Sequence, residues 1–207
     1  MKACHSQAVP PSRVGVGIIV RMFVGSSQRV LGIDPGLTRC GYAVIDAQGS
    51  SLQVVSLGVL RTPAHDSLPA RLARLHQDLS EVLDDFRPHS VAVEQVFFQV
   101  NVRTAMSVGQ ASGLALALAH AAGCTVVQYT PNQVKEAVTG WGGAGKEQVQ
   151  RMVQARLGLS APPKPADAAD AAALAICHLA IGPVHQRLIA AGAPDVHGRA
   201  RSRRKAG

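Results

Sequence analysis

Two short apolar runs in this chain each close on a carboxylate: Arg29-Val-Leu-Gly-Ile-Asp34, followed by Pro35-Gly36, and Ser90-Val-Ala-Val-Glu94, entered just after Pro88. Apolar runs of this length bounded by turn residues are expected to be buried strands, which puts both acids at strand ends. Asp34 then stands beside a turn, a common setting for a functional residue. Glu94 is the harder of the two to explain structurally, because an unpaired charge at the end of an apolar strand is costly. A third acidic element is Pro165-Ala-Asp167-Ala-Ala-Asp170-Ala-Ala-Ala-Leu-Ala-Ile-Cys177-His178. Its i, i+3 spacing sets Asp167 and Asp170 on one helical face about one turn apart. Like charges that close repel unless a cation lies between them.

The pattern around these acids is α/β. Strands are expected over 29–34, 40–46 and 52–60, with Ala47-Gln-Gly-Ser-Ser51 short enough for a hairpin turn. From Leu68 to Phe86 apolar residues recur at helical spacing, with Arg71, Arg74, Asp78 and Asp85 on the other side. The strand ending at Glu94 comes next. Residues 104–122 form an Ala-, Leu- and Gly-rich helix with little polar face, which the sheet or a second subunit must cover. Cys124 to Tyr129 makes a fifth strand, and Thr130-Pro131 is a helix start, with Thr as cap and Pro in the first turn. The glycine-rich segment 139–145 is a loop, and further helices are expected over 146–157 and 166–181. Three early strands followed by alternating helix and strand give a mixed sheet flanked by helices. Residues 1–28 are a loose leader, 29–182 the domain, and 183–207 a basic, disordered tail; Met22 is a second candidate start beside Met1.

With 207 residues, 47% of them hydrophobic, the chain can bury one sizeable core. No run approaches the roughly 20 apolar residues of a membrane span, and the apolar segment 14–20 is too short for one and is stopped by Arg21. The four cysteines lack C-x-x-C spacing, and Cys40, Cys124 and Cys177 fall inside apolar segments, which fits buried thiols in a reducing, cytoplasmic setting. A formal charge of +8 invites a nucleic-acid reading, yet nine of the 21 cations lie in residues 1–29 and 199–205, which leaves 12 against all 13 acids in 30–198. A basic tail attracts phosphate through counterion release and serves equally well as a solubilising end.

The runs Gly32-Ile-Asp34-Pro-Gly-Leu-Thr-Arg-Cys-Gly-Tyr42, Glu94-Gln-Val-Phe97, Thr130-Pro-Asn-Gln-Val-Lys135 and Asp167-Ala-Ala-Asp170-Ala resemble the RuvC family of Holliday-junction resolvases, within the ribonuclease-H-like superfamily. The resemblance spans about 29 to 182. It implies a mixed five-stranded sheet whose first three strands are antiparallel, and a homodimer cutting four-way junction DNA with two Mg²⁺ or Mn²⁺ ions per active site. It also implies cooperation with the RuvA–RuvB branch-migration machinery. The family's four acidic positions fall on Asp34, Glu94, Asp167 and Asp170. Among DNA contacts it favours Phe97 as a stacking wedge, with Phe98 beside it as an alternative, and places Lys135 and Lys146 at basic positions. Asn101, Arg103 and Gln110 are further contacts of the same kind.

The chemistry fits these residue types. Phosphodiester hydrolysis needs a deprotonated water and a neutralised leaving oxygen, which two divalent cations about 3.5–4 Å apart supply. Such hard cations take oxygen ligands; the resemblance, through the central first strand of the superfamily, implies that Asp34 bridges, with Glu94 on one side and Asp167 and Asp170 on the other. Products would carry a 5′-phosphate and a 3′-hydroxyl. Taken singly, each acid has a local reading: Asp34 as a turn former, Asp167 and Asp170 as helix-start acids. Trp141 is either a lid or a packing anchor, and His178 is expected to be structural or solvated. The Gly32–Thr38 segment also resembles the first phosphate turn of actin-like ATPases, but those need a second duplicated domain that a chain of this length does not hold. A ribonuclease acting on RNA and a noncatalytic junction-binding module are the other rivals; the latter is expected to lack one or more of the acids.

Overall fold

The computed structural model describes residues 28–95 and 102–190, with side chains described for 28–95 and 105–182. Five strands form one sheet: β1 (Gln28–Asp34), β2 (Arg39–Gln48), β3 (Ser51–Arg61), β4 (Ser90–Glu94) and β5 (Thr125–Tyr129). Their order is β3-β2-β1-β4-β5. β1, β2 and β3 pair antiparallel in sequence, whereas β4 lies parallel to β1 and β5 parallel to β4. This is the mixed sheet expected from the sequence. Its topology follows from loop length: the two-residue connection at Gly49 permits a hairpin, while each parallel step needs a helical crossover.

Helices α1 (Leu68–Phe86) and α2 (Val102–Ala121) cover one face, and α3 (Pro131–Thr139), α4 (Lys146–Arg156) and α5 (Ala166–Ala190) the other. Period-2 alternation sorts the strand residues between these layers. Leu31, Ile33, Val44, Val91 and Val93 pack with Leu75, Leu79, Ala111 and Ala115 of α1 and α2. Val30, Ala43, Ile45 and Ala92 pack with Val138, Val153, Ala171, Ala172 and Ala175 of the other layer. Asp34 and Glu94 continue the second series, so both carboxylates face the α5 side.

Helix α5 approaches the sheet closely because neither surface carries bulk at the contact. A Cβ on Gly32 would lie 2.0 Å from the Ala171 carbonyl oxygen, and one on Gly41 would lie 2.1 Å from that of Asp167. Only glycine on the strands permits this backbone approach. The alanines of α5 from Ala168 to Ala175 are buried against it.

α3 starts as the sequence indicated: the Thr130 side chain accepts a hydrogen bond from the Gln133 amide, and the Gln133 side-chain oxygen accepts one from the Thr130 amide. Both ends of the expected domain differ. α5 passes through Gly182-Pro183 and runs on to Ala190, beyond the helix end expected at 181 and into the segment from 183 expected to be a disordered tail. Proline removes a single helical hydrogen bond, which the continuous helix tolerates here. At the other end Gln28 already belongs to β1. The remainder of the leader, the tail from 191, and Phe97, Phe98 and Asn101 lie outside the described residues, as does the side chain of Arg103.

Candidate active site

The parallel register of β1 and β4, with Ile33 opposite Val93, brings the strand ends carrying Asp34 and Glu94 side by side. Asp34 also lies across from Gly41, the residue over which Asp167 of α5 is seated. Asp170, one turn further, faces the same end of the sheet. Sheet register and the glycine–alanine contact thus gather four acids that lie 136 positions apart at their extremes.

Their electrostatics record the crowding. The Asp34 carboxyl is pushed up to about 7, first by burial, then by the charges of Glu94 and Asp170, by its hydrogen bond to Glu94, and by Asp167. Burial likewise raises Glu94, opposed by that shared hydrogen bond and by Lys146. Asp167 moves the other way. Its carboxylate accepts from the Arg39 guanidinium, with Nε at 2.9 Å and Nη2 also bonded, and is held below the usual range. Lys146 Nζ lies 2.8 Å from Asp170 Oδ2, and that bond raises the lysine. Lys146 opens α4, at the positive end of the helix dipole where a cation is disfavoured. Its place is explained by the carboxylates opposite.

The outer acids of the cluster therefore carry basic partners, while Asp34 and Glu94 share a hydrogen bond between themselves. All four donors are carboxylates, the oxygen set that hard divalent cations take. As arranged, no three His, Cys, Asp or Glu side chains among the described residues enclose a single point as an ion would require. The donor chemistry fits a hard divalent cation such as Mg²⁺ or Mn²⁺.

Of the basic positions expected to contact DNA, Lys146 reaches the acids. Lys135 sits half-buried on α3 and enters no ion pair among the described residues. Gln110 is exposed on α2. His178 is fully buried with Nδ1 2.9 Å from the Tyr129 hydroxyl, a core role. Arg39 escaped the sequence reading. Its signal was the period-2 alternation of β2, which places residue 39 on the face of Gly41, Ala43 and Ile45, towards α5. Behind the same turn, Arg71 donates to the hydroxyls of Thr62 at 2.9 Å and Thr38 at 2.6 Å, and Thr62 donates to the Leu37 carbonyl, which together pin the Asp34–Arg39 connection.

The family model of crossover junction endodeoxyribonuclease RuvC matches residues 30–178. The RuvC of Thermobifida fusca is 52% identical over 161 residues, covering 77% of this chain and 88% of that protein. That of Rubrobacter xylanophilus is 50% identical over 153 residues, covering 74% and 86%. Among solved structures, Thermus thermophilus RuvC in complex with a Holliday junction substrate is 39% identical with a TM-score of 0.72, covering 76% of this chain and 96% of that one. The yeast mitochondrial resolvase Ydc2, 16% identical with a TM-score of 0.59 over 78% of this chain and 83% of its own, shares the fold.

Proposed function

This chain belongs to the RuvC family of crossover junction endodeoxyribonucleases, and on that premise we propose that it resolves four-way DNA junctions by paired, symmetric, metal-dependent nicks during recombination and repair. The observation that carries the reading is the gathering of Asp34, Glu94, Asp167 and Asp170 at one end of the sheet, with Asp34 raised by burial and, after it, by the other three. Four carboxylates in mutual repulsion are poorly suited to a purely structural role and well suited to holding divalent cations.

Asp34, Glu94, Asp167 and Asp170 would hold two Mg²⁺ or Mn²⁺ ions. When bound, these supply a water of lowered pKa and neutralise the leaving oxygen. The chain's own residues do the rest. The glycine-seated helix α5 fixes Asp167 and Asp170 against β1 and β2. Lys146, released from Asp170, presents its ammonium to a phosphate oxygen as negative charge develops there. Arg39, released from Asp167, holds the DNA backbone beside it. In-line attack leaves a 5′-phosphate and a 3′-hydroxyl.

Phe97 stacks on an unpaired base, Lys135 reaches a phosphate, and Asn101, Arg103 and Gln110 are further DNA contacts. The nuclease unit runs from β1 to the end of α5, between a leader and a basic tail. Two such units form a homodimer whose two-fold axis matches that of the junction. Its interface is α2, whose exposed Met106, Gly113 and Ala117 share a face. A RuvA–RuvB complex is the expected partner in the cell, and the cytoplasm the expected compartment. The latter agrees with the free buried thiols of Cys40, Cys124 and Cys177, and no helix of the described residues is long and apolar enough to cross a membrane.

The test is cleavage of an end-labelled mobile four-way junction beside a linear duplex and an RNA/DNA hybrid, with Mg²⁺, Mn²⁺ or EDTA. Symmetric nicks confined to the junction and abolished by EDTA are expected. Cutting of the hybrid with the junction left intact would transfer the function to RNA.

A further inference from the structure

Trp141, the single tryptophan of the chain, is exposed over 61% of its surface, although aromatic side chains of this size are largely buried in most folds. It is also firmly placed. The Trp141 carbonyl accepts from the Ala144 amide at 3.1 Å, closing a tight turn whose last residue, Ala144, is buried. The Trp141 amide donates to Thr139 Oγ1 at 3.2 Å, and that hydroxyl is itself held against the Lys135 carbonyl. The indole lies over Gly143, where a Cβ would come within 2.6 Å of the ring, so one side of the ring is backed by the backbone of its own turn. From there the chain passes through Ala144 and Gly145 directly into Lys146, the lysine on Asp170.

We propose that Trp141 is a preformed stacking platform for a nucleobase of the DNA strand that enters beside the acidic centre. The proposal rests on the nuclease reading above and deepens it. A packing anchor would bury the ring, whereas here the turn is anchored by Ala144 and Thr139 and the ring is left over. A mobile lid would lack the pinned turn. An exposed, backed aromatic ring next to a phosphate-directed lysine has the two parts of a single-strand contact, a π-face for a base and a cation for its backbone. Because every base has a π-face, the contact tolerates any sequence.

A sole tryptophan makes the test residue-specific. Indole emission and its quenching by acrylamide are measured on the full chain carrying Asp34→Asn, titrated with a four-way junction and with a short single-stranded oligonucleotide, while fluorescence anisotropy of labelled DNA reports binding separately. Quenched emission and protection from acrylamide at saturating DNA are expected. Trp141→Ala is expected to weaken binding about five- to hundredfold, and Trp141→Phe to keep most of it. Normal binding with unchanged indole emission and accessibility overturns the proposal. So does a Trp141→Ala variant that melts earlier yet binds equally well, the mark of a packing role. Protection that rises with protein concentration in the absence of DNA also overturns it, in favour of a contact between copies. Failure of the wild type to cut any junction would instead overturn the nuclease reading, whatever the indole reports.

Discussion

Asp46 and Asp34 occupy opposite ends of the same β1–β2 ladder, and their surroundings act on them in opposite directions. At one end Arg29 stands across from Asp46 and grips it in a two-pronged pair, Nε to Oδ1 at 2.7 Å and Nη2 to Oδ2 at 2.8 Å, while Nη1 donates to the Phe86 carbonyl at 2.9 Å. That hydrogen bonding lowers Asp46 below the usual carboxylate range. At the other end Asp34 is buried among further acids and is raised to about 7, first by that burial and then by their charges. The first end is arranged for stability. The second gives up stability to keep a concentration of negative charge, the pattern expected where a site must bind cations.

The sharpest way to break the contrast is Asp34→Asn. Cutting of a four-way junction should fall by at least about a thousandfold in single-turnover assays, with junction affinity by gel shift little changed; hydrolysis retained at saturating metal would remove Asp34 from the site. The same variant should be more stable than wild type at neutral pH without divalent cations. An aspartate with a raised folded pKa lowers stability as pH climbs from its unfolded value, about 4, towards 7. The advantage of the variant should therefore vanish below about pH 4, grow through that window and level off above it, as melting temperatures across pH will show.

Lys146→Met removes the cation from Asp170, and a drop of about ten- to hundredfold in cutting is expected. Comparing single-turnover rate with affinity shows whether the loss lies in the chemical step; an unchanged rate would assign the lysine to surface charge alone. Gly32→Ala tests how the acids are held. The new methyl would collide with the Ala171 carbonyl and should cost about 1–3 kcal/mol or more in urea unfolding. Gly109→Ala on α2, where nothing lies within 4 Å, should be neutral or gain up to about 1 kcal/mol. Asp46→Asn at the stable end should cost only about 1 kcal/mol at pH 7, since the pair is partly solvated. Because a lowered carboxylate contributes above its unfolded pKa, that cost should disappear as pH falls below about 4.

The two ends were not equally legible from sequence. Asp34 and Glu94 could be singled out because each interrupts an apolar run at a turn, and Asp167 and Asp170 because helical spacing puts them together. The mixed sheet was also within reach, from three early strands followed by alternating helix and strand, while the antiparallel pairing of the first three came from the family resemblance. Arg39 and Arg71 could not be found that way. Their partners, Asp167 and the hydroxyls of Thr38 and Thr62, are remote in sequence or share no periodicity with them, and sheet register has to be known before either pairing can be drawn. The end of α5 was misjudged because Gly182-Pro183 is a strong local stop signal that the continuing helix overrides. Trp141 left two readings open in the sequence, since exposure is a property of the packed turn and not of the residue.

The contact of α5 with Gly32 and Gly41 has a further consequence for how sequence change is tolerated. Elsewhere in the core a substitution can be absorbed by neighbouring side chains changing rotamer. Where main chain rests on main chain there is no side chain to yield, and an added methyl must displace the whole helix. Asp167 belongs to that contact and Asp170 lies one turn along, so the displacement would reach the carboxylates undiminished. Two positions without side chains thereby act as the datum from which half of the acidic cluster is measured.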